Sequence, residues 1–168
     1  MSSCRRGANS TATRPSRPRS STRFSPAAGS FMDEPLLRLT REWLTKAAHD
    51  LQNARIVSAV SDGPLDTAIY HCQQAAEKSL KAWLVSQNLP VERTHDLTRL
   101  VTLAAARDVS FFDWEEAAGI LTPYASAFRY PGLTADPLPT RAEFDEALKL
   151  AEGIHALVLG LLPDEAAP

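Results

Sequence analysis

Cysteine is scarce in this 168-residue chain, with Cys4 and Cys72 the only two. Thiols so far apart in sequence exclude a disulfide framework and a cysteine-built zinc cluster. They suit a reducing cytosol, so a cytoplasmic location is expected. Glycine is also sparse, seven residues without a clustered run, which excludes a Gly-rich phosphate loop. The four histidines, at 49, 71, 95 and 155, lack ligand spacing, so neither a metal nor another cofactor is expected. No apolar stretch reaches the roughly 18 residues of a membrane span, so no membrane partner is expected. Alternation of apolar and polar residues bounded by turns is missing as well, and with it the signal for β-strands.

Negative charge is missing from one region only. Residues 1–31 hold six Arg and no Asp, Glu or Lys. Subtracting those six from the chain's 18 bases leaves 12 against 20 acids over residues 32–168, a net of −8. An acidic domain repels nucleic acid at long range, so phosphate binding has to use a local patch. The first 32 residues, rich in Arg, Ser and Pro, offer little to bury and are expected to be a disordered tail. A transit peptide, a basic arm for nucleic acid, and upstream sequence wrongly joined to a true start at Met32 all fit. The change of composition at FMDEPLLRL favours the last.

What remains reads as helix. Leu36, Leu39, Trp43, Ala47, Leu51, Ala54 and Val57 recur at three- and four-residue spacing and define an apolar stripe. SDGP at 61–64 ends that helix, with Pro64 suited to the first turn of the next. A second helix is predicted over about 65–87, with Ile69, Cys72, Ala76, Leu80 and Trp83 on one face. NLPVERT breaks it. A third runs from about His95 to Arg107, with Thr94 as N-cap. Asp113 and Glu116 resemble a capping box for a fourth, reaching about Phe128. Thr140 with Glu143 opens a fifth, which Pro163 closes. The expected fold is all-α, an antiparallel up-and-down bundle of about five helices over 33–163, with a short tail at 164–168.

On the second helix His71, Gln74, Lys78 and Lys81 stand at offsets of 0, 3, 7 and 10, within an arc of roughly 80° nearly opposite the apolar stripe. Such a face is either solvated surface or an anion-binding surface. His95 and Asp96 open the third helix, where the helix dipole favours an anion. His155, amid the apolar face of the last helix, reads as a satisfied core histidine. AFRYPG at 127–132 ends a helical run on Arg129 and Tyr130, and an Arg at a fixed helix terminus suits a phosphate.

The order of AAHDL (47–51), QQAAEKSLKA (73–82), HDLTRL (95–100) and RYP (129–131) resembles the HEPN family over about residues 38–160. The resemblance implies an antiparallel helical bundle, commonly a homodimer, linked to nucleotide or RNA binding. It further implies a toxin-antitoxin-like module, in which the partner is a small nucleotidyltransferase. Ribonuclease members carry an Arg followed, after about four to six residues, by a His. Here YPGLTADPLPT follows Arg129 and holds no His. Arg stays protonated and cannot move the proton that metal-independent cleavage needs, so the family's catalytic pair does not carry over. The expected function is therefore binding of nucleotide or RNA phosphate through Gln74, Lys78, Lys81, Arg129 and Tyr130, in a non-catalytic or weakly catalytic partner. The alternatives are a ribonuclease toxin using His95 or His71, and a purely structural interaction module.

Overall fold

The computed structural model describes residues 32–129 and 138–168, so the N-terminal tail and Tyr130 lie outside the described residues. Helices α1 (Glu34–Ala59), α2 (Leu65–Ser86), α3 (Leu97–Ala105), α4 (Glu115–Leu121) and α5 (Arg141–Leu161) form the all-α bundle, with no strand among the described residues. No described helix is long and apolar enough to cross a membrane. The 3-10 segments Val109–Trp114, Thr122–Ala125 and Asp164–Ala166 fill the corners.

α2 is the axis of the molecule, packed on by α1, α3 and α5. From Ala75 to Ser86 every residue except Lys78 is buried. α1 runs antiparallel to α2 and to α5: Arg141 donates to Ser58 O near one end of α1, and Arg41 donates to Glu165 O near the other. The core is Leu44, Leu51, Ile69, Leu80, Leu84, Leu97, Leu100, Phe111, Leu121, Phe144 and Ile154 with the alanines between them. Each such side chain contributes roughly 1.5–3 kcal/mol by leaving water.

Local chemistry explains most helix ends. The turn after α1 folds back so tightly that a Cβ on Gly63 would lie 2.0 Å from Val57 O, and only glycine fits. α2 ends in a Schellman pattern: Asn88 takes φ 53°, its N–H donates to Val85 O at 2.8 Å, and Leu89 N–H donates to Leu84 O at 2.9 Å. At α5 both halves of the Thr140/Glu143 capping box form.

Elsewhere tertiary structure moved the boundaries. α3 begins at Leu97, and its cap is Asp96, whose carboxylate accepts from Thr98 N and Arg99 N; Thr94 instead accepts from Asp96 N. The DWEE capping box does not form, because Asp113 lies inside a 3-10 turn and α4 starts behind Trp114 without a side-chain cap. Trp114 packs so closely on α5 that a Cβ on Gly153 would come within 2.2 Å of its ring. α4 stops at Leu121 rather than Phe128, since Pro123 lacks the N–H a continuing α-helix needs and tightens the chain into a 3-10 turn. In α1 the stripe read in sequence is buried at Ala47, Leu51 and Ala54, but Leu39 is exposed, and Thr40, Leu44 and Asp50 join the buried side. The C-terminal residues fold onto α1, with Ala166 fully buried.

Candidate functional site

The polar arc of α2 is not a solvated face. It lies against α1 and the α2–α3 loop, and each of its charged groups meets a carboxylate. Asp50, which α1 presents from within its buried side, takes two of them. His71 Nδ1 lies 2.9 Å from its Oδ1, and Lys78 Nζ donates to its Oδ2. A carboxylate only accepts, so His71 donates from Nδ1, and its Nε2 is left as the group that meets anything outside. The side chains of His71 and Lys78 are 22% and 24% exposed, against 10% for Asp50, so the two donors sit at the rim and the carboxylate beneath them.

Glu77 builds a second cluster three residues after Gln74. It accepts from Gln73 Nε2 at 3.0 Å, Lys81 Nζ at 2.8 Å and His95 Nδ1 at 3.0 Å. Burial works against its charged form, but the bonds from Lys81, Gln73 and His95 outweigh it and hold the carboxyl below the ordinary range. Lys81 and Gln73 also donate to the loop backbone, at Thr94 O and His95 O. The Lys81 ammonium lies 5.9 Å from the centre of the Trp43 ring. Its side chain is only 8% exposed, so Lys81 spends its donors inside the protein.

Arg129 reaches α2 at the opposite end. Its guanidinium carbon lies 5.2 Å from the centre of the Tyr70 ring, in cation–π contact, and the Tyr70 ring lies 5.8 Å from that of His71. Gln74, one turn on, donates to Gln73 Oε1 at 2.7 Å. The structure thus brings together His71, Gln74, Lys78 and Arg129 along one side of α2, and gathers Lys81 and His95 into the Glu77 cluster. His95 is exposed on its outer edge.

Cys72 is a core group, and His155 is half-buried against α2, whereas His49 is exposed on α1. Burial, helped by Glu152, pushes the Cys72 thiol up to about 12, so it is inert as a nucleophile. His155 Nδ1 lies 2.9 Å from Ser79 Oγ, whose own proton goes to Ala75 O. Burial and Arg55 depress the His155 pKa, which keeps the ring neutral.

Residues 40–161 match the family model described as HEPN domain. The chain belongs to the HEPN family. Two solved structures agree. TT1696 from Thermus thermophilus is similar at 33% identity and TM-score 0.64, over 73% of this chain and 98% of that one. ST0689, an archaeal HEPN homologue, is similar at 28% identity and TM-score 0.58, over 73% of this chain and 96% of that one. No curated protein matches. Both carboxylate clusters and Arg129 fall inside the HEPN span.

Asp50, Gln73, Glu77 and Tyr70 were not singled out from the sequence, yet three of them left a signal. Gln73, Glu77 and Lys81 stand at successive i,i+4 spacing, the geometry of a side-chain ladder. Asp50 occupies a position beside Leu51 within the apolar stripe, and a carboxylate there has to find cations. Tyr70 left none, because its partner Arg129 is 59 residues away.

Proposed function

We propose that this HEPN protein binds the phosphate of a nucleotide or of RNA along the α2 face that carries His71, Gln74 and Lys78 and that Arg129 joins. One observation carries the reading: Lys78 and His71 share Asp50 beneath a partly exposed rim, so both side chains are held at the surface of α2 from a fixed base. Asp50 offsets the Lys78 charge, and Arg129 brings a guanidinium to the same helix beside Tyr70. Lys81 and His95 belong to the internal clip instead, and Tyr130 continues the chain from Arg129. On this reading the protein is a non-catalytic or weakly catalytic member of a two-component module, homodimeric and cytoplasmic, with a nucleotidyltransferase as partner.

Titration of the full chain with a short single-stranded RNA tests it. Two phosphate contacts give a slope of log K on log salt of about −1.4. Arg129→Ala and Lys78→Ala each weaken binding and flatten the slope. Absence of binding at low salt overturns the reading.

A ribonuclease reading is favoured by one specific observation. Asp50 fixes Nδ1 of His71 and frees Nε2 for proton transfer, the arrangement a general base requires. Expression should then arrest growth, and His71→Ala should relieve the arrest; equal toxicity of the variant ends it.

A further inference from the structure

A groove of about 490 Å³ lies between α4 and the first half of α5, and none of its lining residues belongs to the α2 rim. Its walls follow helical spacing: Asp113, Glu116, Ala117 and Ile120 come from the α4 side, Glu146 and Leu150 from α5. Trp114 closes the groove. Its ring packs over Gly153, one turn beyond Leu150, where any side chain would collide with it. The half-buried indole is thereby fixed before anything binds, and with the half-buried Ile120 and Leu150 it makes an apolar floor. Asp113, Glu116 and Glu146 border that floor, all three exposed. Among the described residues no carboxylate of the three is paired with a cation, and no Lys or Arg lines the groove. Lys149, next to Leu150 on α5, turns to another side of the helix. Asp50 and Glu77 find their cations within the chain; these three carboxylates do not.

We propose that this groove docks a basic amphipathic helix of a partner protein, with its apolar side chains on Trp114, Ile120 and Leu150 and its Arg or Lys side chains on Asp113, Glu116 and Glu146. Docking here is independent of the phosphate reading above. An apolar floor alone would accept any hydrophobic segment, and the three carboxylates choose the sign. They repel nucleic acid and acidic segments. A second copy of this chain is disfavoured for the same reason, since residues 32–168 carry a net −8. A helix presents apolar anchors at i, i+3, i+4 and i+7 with polar positions on either side, which matches a strip of apolar surface bordered by acids on both walls. Trp114 serves both parts of such a partner, as buried contact for an aliphatic side chain and as a π-face for a guanidinium. Apolar burial supplies most of the affinity, while the rim charges set the rate of encounter and reject partners of the wrong sign.

A labelled synthetic helix with leucine at i, i+4 and i+7 and arginine at the flanking positions is the probe, titrated against the full chain by fluorescence anisotropy. Glu116→Lys combined with Glu146→Lys should weaken it on the order of tenfold or more. Glu34→Lys combined with Glu42→Lys makes the same change of net charge on exposed positions of α1 and should leave binding nearly unaltered. A probe with serine in place of leucine keeps every arginine and should bind on the order of tenfold more weakly. Ile120→Ser should weaken the leucine probe and leave the serine probe unchanged. The exposed carboxylate variants guard against a fold defect in Ile120→Ser. Equal losses from the α1 and groove charge pairs overturn the groove and leave only the general field of an acidic domain. Equal affinity for the two probes overturns it as well, as does absence of binding at low salt. A dimer that Ile120→Ser converts to monomer, with no probe bound, assigns the groove to a second copy of the chain instead. Binding of short RNA is titrated separately, so failure of the groove leaves the phosphate reading standing.

Discussion

Asp50 and Glu77 each hold one histidine and one lysine, yet the two clusters are built for different work. At Asp50 the partners come from the neighbouring helix, and both are about a quarter exposed. At Glu77 the lysine is as buried as the carboxylate, and its spare donors go to the backbone of the α2–α3 loop. The ingredients are the same. Depth decides the outcome: donors left over at a rim are available to a ligand, whereas donors left over in the interior have to be satisfied by the chain itself. The Glu77 cluster is accordingly a clip that fastens residues 94 and 95 onto α2, and the Asp50 cluster is a base on which two surface side chains stand.

The largest expected effect breaks the clip. Glu77→Leu leaves the Lys81 ammonium buried without its counter-charge and should cost about 3–5 kcal/mol in urea unfolding. Asp50→Leu should cost less than half as much, because Lys78 and His71 keep access to water. Equal losses would erase the distinction. Next in size is a crossed comparison of binding. Lys78→Met should weaken a short RNA about tenfold, roughly 1.4 kcal/mol, with little change in stability. Lys81→Met should do the reverse, lowering stability through the orphaned Glu77 carboxylate.

Acid should separate the clip from the rest of the core. The folded Glu77 carboxyl titrates below its unfolded value, so its contribution is complete above the ordinary carboxylate range. It is lost as pH falls through the lower folded value. His155 acts at higher pH: its depressed folded pKa means that stability declines as pH drops from the ordinary histidine value toward the folded one. A series of unfolding midpoints should therefore show two steps. Glu77→Gln should shrink the lower step, to which Asp96 and the other carboxylates held below their ordinary range also contribute, and His155→Phe should remove the upper. The smallest effect is local: Asp96→Ala removes the cap of α3 beside the clip and should cost about 1 kcal/mol.

How far the sequence could be read depended on the reach of each interaction. Thr140 and Glu143 were legible as a capping box because both partners lie within one turn. The same pattern at Asp113 and Glu116 misled, since the fit of Trp114 over Gly153 imposed a 3-10 turn there. Asp96 rather than Thr94 caps α3, in a region where Leu97 N–H donates to Thr122 Oγ1 from 25 residues away. The grouping of His71, Gln74, Lys78 and Lys81 on one arc was correct as helix geometry. Their division into rim and clip was not legible, because periodicity says which residues share a face and nothing about what covers it.

By itself the sequence determined the helical class, the order and approximate extent of the helices, the acidic character of residues 32–168 and the membership of the HEPN family. Each follows from spacing, capping chemistry or motif order, which are local. Tertiary structure alone decided that Asp50 lies under His71 and Lys78, that Lys81 is buried on Glu77, and that Arg129 lies over Tyr70. Those outcomes depend on how α1, the α2–α3 loop and the chain after α4 close around α2, where burial sets whether a charge meets water, a partner or the backbone.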